Sequence, residues 1–86
     1  MSRKIWKMAL EHAPRQVIDT PSEWRPLSFG NQEGTPTLWF EAHPGTPLTA
    51  RMVFLAFTGE EVPPGRYVGT AVFGMTGMLV VHCYVK

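Results

Sequence analysis

Catalysis or metal binding in this chain would have to rest on three histidines, one cysteine and seven carboxylates. His12, His43 and His82 are widely separated, and only His12 has a carboxylate beside it, Glu11. Zinc sites of small domains draw on closely spaced His and Cys side chains. That set is missing, so neither a metal nor another cofactor is expected. Glu60 and Glu61 are adjacent, and neighbours on an extended chain point to opposite sides. They read as a solvated loop rather than an acid/base pair. The neighbours His82 and Cys83 fail as a nucleophile and base for the same reason. Cys83, flanked at alternate positions by Val81 and Val85, reads as a small core residue. No GxSxG elbow, Walker-type glycine loop, HExxH or CxxC occurs. An enzyme is not expected.

Binding chemistry is better represented. Aromatic residues make up 12% of the chain and include Trp6, Trp24 and Trp39. Leu38, Phe40 and Ala42 alternate with Trp39, Glu41 and His43, which places Trp39 among polar neighbours, where an indole can stack a base. The competing reading packs Trp39 on Trp6 or in a second core layer, as is usual for Trp. Arg3 and Lys7 share a side of the first apolar segment and form a small basic edge. They suit a phosphate contact, or they guard an edge strand against aggregation. The other basic residues are scattered and the net charge is only +1, so DNA binding is not expected. The candidate contact residues are Trp6, Trp39, Tyr67, His82, Tyr84, Arg3 and Lys7, with Arg51 a further phosphate partner.

These residues must be positioned by short strands. The chain has 86 residues, one domain spanning 1–86, with eight Gly and eight Pro. Proline lacks an amide donor and breaks helices, and these residues recur too often to leave room for many helices. The intervening runs are rich in β-branched and aromatic residues. Strands are expected over residues 3–10, 16–20, 26–30, 37–43, 51–58, 66–73 and 78–85. Hairpin turns are expected at residues 31–34 and 74–77, and loops at 44–47 and 60–65. A helix over residues 3–12 competes with the first strand, on a stripe of Ile5, Trp6, Ala9 and Leu10 that only Pro14 bounds. The fold class is all-β: a small antiparallel barrel or sandwich of about six to seven short strands.

The apolar content exceeds what one core face needs. Residues 52–57 have no polar side chain, so both faces of that strand are apolar. If Gly74 faces Gly77, then Phe73 faces Met78, Ala71 faces Val80, Gly69 faces His82 and Tyr67 faces Tyr84. One face then gathers Tyr67, Phe73, Met78, Val80, His82 and Tyr84; the other gathers Val68, Val72, Leu79, Val81, Cys83 and Val85. Either the sheet folds over its second face, or that face is an interface. The second option predicts a homo-oligomer, a dimer foremost.

A single cysteine suits a reducing compartment, and no apolar run approaches the ~18 residues of a membrane span. The expected location is the cytoplasm, with no membrane partner. Lys4-Ile5-Trp6-Lys7 with Leu10, Gly34-Thr35-Pro36-Thr37-Leu38-Trp39, Thr58-Gly59-Glu60, Tyr67-Val68-Gly69-Thr70, and Leu79-Val80-Val81-His82 with Tyr84-Val85 are similar in order and spacing to a family of small uncharacterised proteins encoded largely by bacteriophages and prophages. The resemblance spans nearly the whole chain. It departs where Thr37 stands for a frequent Cys and Val81 for a Phe. It implies a phage origin and brings no catalytic residues. Small phage accessory proteins commonly act by binding. The expectation is therefore a non-enzymatic protein that binds a host or phage protein as an inhibitor or anti-defence factor, acting in the host cytoplasm. The alternatives are an oligomeric nucleotide-binding sponge and a virion or assembly component.

Overall fold

The computed structural model describes residues 2–74 and 78–86. The strands are β1 (Lys4–Ala9), β2 (Arg15–Pro21), β3 (Trp24–Gln32), β4 (Thr35–Ala42), β5 (Leu48–Phe57), β6 (Arg66–Phe73) and β7 (Leu79–Val85). No helix occurs among the described residues, so the helical alternative for residues 3–12 gives way to β1. The strands form two antiparallel sheets, ordered β1-β4-β3 and β2-β5-β7-β6. The sheets do not close into a barrel; they make a sandwich.

Alternation explains the core. Leu38, Phe40 and Ala42 of β4, with Phe29 of β3, face inward from the first sheet. Ile18, Val53, Leu55, Ala71, Phe73, Val81, Cys83 and Val85 meet them from the second. The two layers touch along β3 and β6. There the Phe29 and Phe73 rings lie 6.2 Å apart, and Asn31 Nδ2 donates to the Val72 carbonyl at 2.9 Å. β1 hydrogen-bonds only to β4 and is exposed along most of its length, Ile5 at 69%.

Two local expectations are corrected. The expected four-residue turn is tighter, because pairing continues to Gln32 and Thr35. Only Glu33 and Gly34 turn the chain, with φ of 52° and 88°, the doubly positive pattern whose twist matches flanking strands. In the C-terminal hairpin, Phe73 faces Leu79 rather than Met78, Ala71 faces Val81 and Gly69 faces Cys83. A one-residue slip exchanges the faces of a strand. Phe73 therefore turns inward to the core, away from Tyr84, and Val72 turns outward. The register then shifts between Tyr67 and Gly69, so that Tyr67 again faces Tyr84. The expected pairing of Gly74 with Gly77 involves residues 75–77, which lie outside the described residues.

Cys83 is wholly buried, and burial pushes its thiol from 9.0 up to about 12. The folded chain therefore keeps the proton over a range in which the unfolded chain has lost it. The stabilising contribution is complete below pH 9.0 and is lost as pH climbs from there toward about 12. Urea midpoints at pH 8 and pH 10 are expected to fall more steeply for the wild type than for Cys83→Ala. Equal slopes would show that the thiol is accessible in the folded state.

Candidate functional site

The outward face of the second sheet follows from the same alternation. Val53 and Leu55 turn into the core, so Met52, Phe54 and Ala56 turn out. The register sets them in rows: Arg15, Phe54, Tyr84 and Tyr67 lie side by side across β2, β5, β7 and β6, and Ala56, His82 and Thr70 form the next row. Val17 stands opposite Met52. No strand of the first sheet covers this face. Val17 is 60% exposed, Tyr67 53% and Val72 49%. Tyr67 and Tyr84 meet edge to face at 5.5 Å between ring centres.

A polar chain runs through this apolar face. Thr58 Oγ1 lies 2.8 Å from His82 Nε2, Thr70 Oγ1 lies 2.9 Å from His82 Nδ1, and the Tyr67 hydroxyl lies 2.6 Å from Thr70 Oγ1. A hydroxyl on an imidazole is the geometry of a nucleophile and its base. Here the second ring nitrogen meets another hydroxyl, Thr70 Oγ1, where a triad has a carboxylate. The arrangement fixes the ring and offers hydroxyls at a surface. Beside it, Thr58, Glu60, Val62, His82 and Tyr84 border a cavity of about 210 Å³.

The structure therefore brings together three of the seven sequence-predicted residues, Tyr67, His82 and Tyr84. Arg3, Lys7 and Trp39 lie on the outer face of the first sheet, on the far side of the sandwich. There Lys7 stands opposite Trp39 and donates to Gln32 Oε1 at 3.0 Å. Trp39 spreads over Gly30. It does not pack on Trp6, because Trp6 is paired with Phe40 on the inward face and meets that ring at 6.3 Å. Alternation along β1 and β4 separates the two indoles.

A third cluster escapes sequence reasoning. Arg25 and Arg3 hold one carboxylate, Glu41, at 2.6 and 3.2 Å. Hydrogen bonds from Arg25 and then Arg3 hold the Glu41 carboxyl below its ordinary value. These side chains, with Trp24 and Arg66, border a cleft of about 400 Å³. Arg51 lies behind Trp24, its guanidinium carbon 5.2 Å from the ring centre, and donates to Thr20 Oγ1 and the Ser22 carbonyl. Arg25 and Arg66 open β3 and β6, which the sequence does not show to be neighbours. Thr58, Thr70 and Phe54 were missed likewise, since only the register places them beside His82 and Tyr84.

Among the described residues, no three His, Cys, Asp or Glu side chains come together as a metal site, and no helix is long and apolar enough to cross a membrane. A family model described as a domain of unknown function matches residues 1–86. No curated protein and no solved structure matches the chain.

Proposed function

The chain belongs to this family, DUF7352, a domain of unknown function, and from that premise we propose that it is a non-enzymatic accessory protein that works by gripping another protein. The observation that carries this reading is the outer face of the second sheet, where exposed Val17, Tyr67 and Val72 with half-buried Met52, Phe54 and Tyr84 form an aromatic and aliphatic surface that no strand covers among the described residues. Exposed apolar surface of this kind marks interaction sites, and Tyr is among the side chains that dominate interface energetics. The Thr58, His82 and Thr70 chain adds hydrogen-bonding groups that fix the register of a partner. The resemblance to phage-encoded proteins supports a host or phage protein as the target, met in the host cytoplasm and blocked by occupancy.

Tyr67 is the sharpest probe because it is half exposed and outside the core. Tyr67→Ala is expected to weaken capture of the partner by about tenfold or more. Its stability cost should stay within about 1 kcal/mol. The measurement is affinity purification from host lysate with wild type and variant, read by quantitative mass spectrometry beside a thermal melt. Recovery of the same partner in equal amounts by both proteins, or of none above background, would overturn the reading. Light scattering separates the other occupant: a dimer that Tyr67→Ala dissolves would give the face to a second copy of the chain.

A further inference from the structure

The cleft at the start of β3 and β6 lies apart from the aromatic face and has a different chemistry. A guanidinium carries five donors in a planar fork. Arg3 and Arg25 each spend one nitrogen on Glu41, Arg3 through Nη1 on Oε1 and Arg25 through Nη2 on Oε2. Most of their donors therefore stay free, and Glu41 braces the two forks without saturating them. Arg66 makes no ion pair among the described residues. With Glu23 and Glu41 set against Arg3, Arg25 and Arg66, the lining keeps one positive charge. Trp24 supplies an apolar wall, held from the core by the edge of Phe40 at 5.5 Å and by Arg51 behind it at 5.2 Å. The volume of about 400 Å³ lies in the range of small-molecule sites.

We propose that this cleft binds a small phosphorylated organic molecule, its phosphate held by Arg25 and Arg66 with Arg3 beside them and its organic part against Trp24. Three forks lining one cleft present more donors than a carboxylate can accept, whereas a phosphomonoester offers three terminal oxygens and a second charge. Lys7 contributes nothing here, since it is turned to Gln32, and Arg51 supports the wall from behind.

The test is calorimetric titration at low salt with inorganic phosphate, adenosine 5′-monophosphate and adenosine as probes. The monophosphate is expected to bind at least tenfold tighter than phosphate, with no binding of adenosine. Arg25→Ala and Arg66→Ala are each expected to lose at least tenfold in affinity for the monophosphate. Lys7→Ala and Tyr67→Ala should leave it unchanged, so the outcome is independent of the protein-gripping face. The proposal is overturned if the monophosphate does not bind saturably, if phosphate binds equally well, or if Lys7→Ala weakens binding as much as Arg66→Ala. The last result would mean diffuse attraction to a basic surface.

Discussion

Replacing Phe40 with alanine is expected to cost about 3–5 kcal/mol. Phe40 is wholly buried at the centre of the first sheet, with Trp6 on one edge and Trp24 on the other. Truncation removes the transfer energy of the ring and leaves a hole that the flanking indoles cannot both fill. A small domain holds only about 5–15 kcal/mol in total, so the variant should unfold at a much lower denaturant concentration with an unchanged slope. The damage should also reach the arginine cleft, because Trp24 leans on Phe40. Phe40→Leu, which keeps most of the volume, should retain the cleft's affinity for the monophosphate while Phe40→Ala loses it. A cost below about 1 kcal/mol for Phe40→Ala would contradict the packing described here.

Gly65→Ala should be nearly as harmful, for a different reason. Gly65 sits at φ +108°, and a Cβ there would come within 2.5 Å of the Val85 carbonyl oxygen. The backbone strain alone is worth about 1–3 kcal/mol, and the collision with main chain of the neighbouring strand adds to it. With about 4–8 °C per kcal/mol for a domain of this size, a fall in Tm of roughly 10 °C or more is expected. Gly59→Ala is the control. Its φ is similar, +99°, but an added Cβ meets nothing within 4 Å. It should show the strain without the collision. Equal melting temperatures for the two variants would remove the steric argument. Gly65 also precedes Arg66, so its displacement should weaken phosphate binding.

Much of the sandwich is legible from breakers and alternation. Proline and glycine bound every strand closely enough to number them, and the contrast of Leu38, Phe40 and Ala42 with Trp39 and Glu41 assigns both faces of β4. The doubly apolar residues 52–57 announce a second greasy face, and among the described residues no strand lies over it, though Met52 and Phe54 are half-buried and Ala56 is buried. Register is less legible, because it depends on where a turn closes. Placing Gly74 opposite Gly77 put Phe73 on the wrong side. The grouping of Tyr67 with Tyr84 still held, because the irregularity at Val68 offsets the slip by one residue. No pattern in the sequence signals that irregularity. The arginine cleft is invisible for a topological reason: Arg3 just precedes β1, Arg25 lies in β3 of the same sheet and Arg66 opens β6 of the other sheet, and only the stacking of the layers brings β3 beside β6. Trp6 and Trp39 show the converse. They fall on paired strands, and alternation still keeps them on opposite faces.

The order β2-β5-β7-β6 places β7, which follows both of its neighbours in the sequence, inside its sheet. A polypeptide emerging from its N-terminus makes β5 and β6 before the ribbon that joins them exists. Until β7 arrives, each of the two exposes a bare row of amide and carbonyl groups, and the core residues Val81, Cys83 and Val85 are missing from between them. β7 can pair with β6 as a local hairpin, and the docking of that hairpin on β5 is the longer-range and slower closure. Premature termination would remove the keystone of the second sheet instead of trimming its rim.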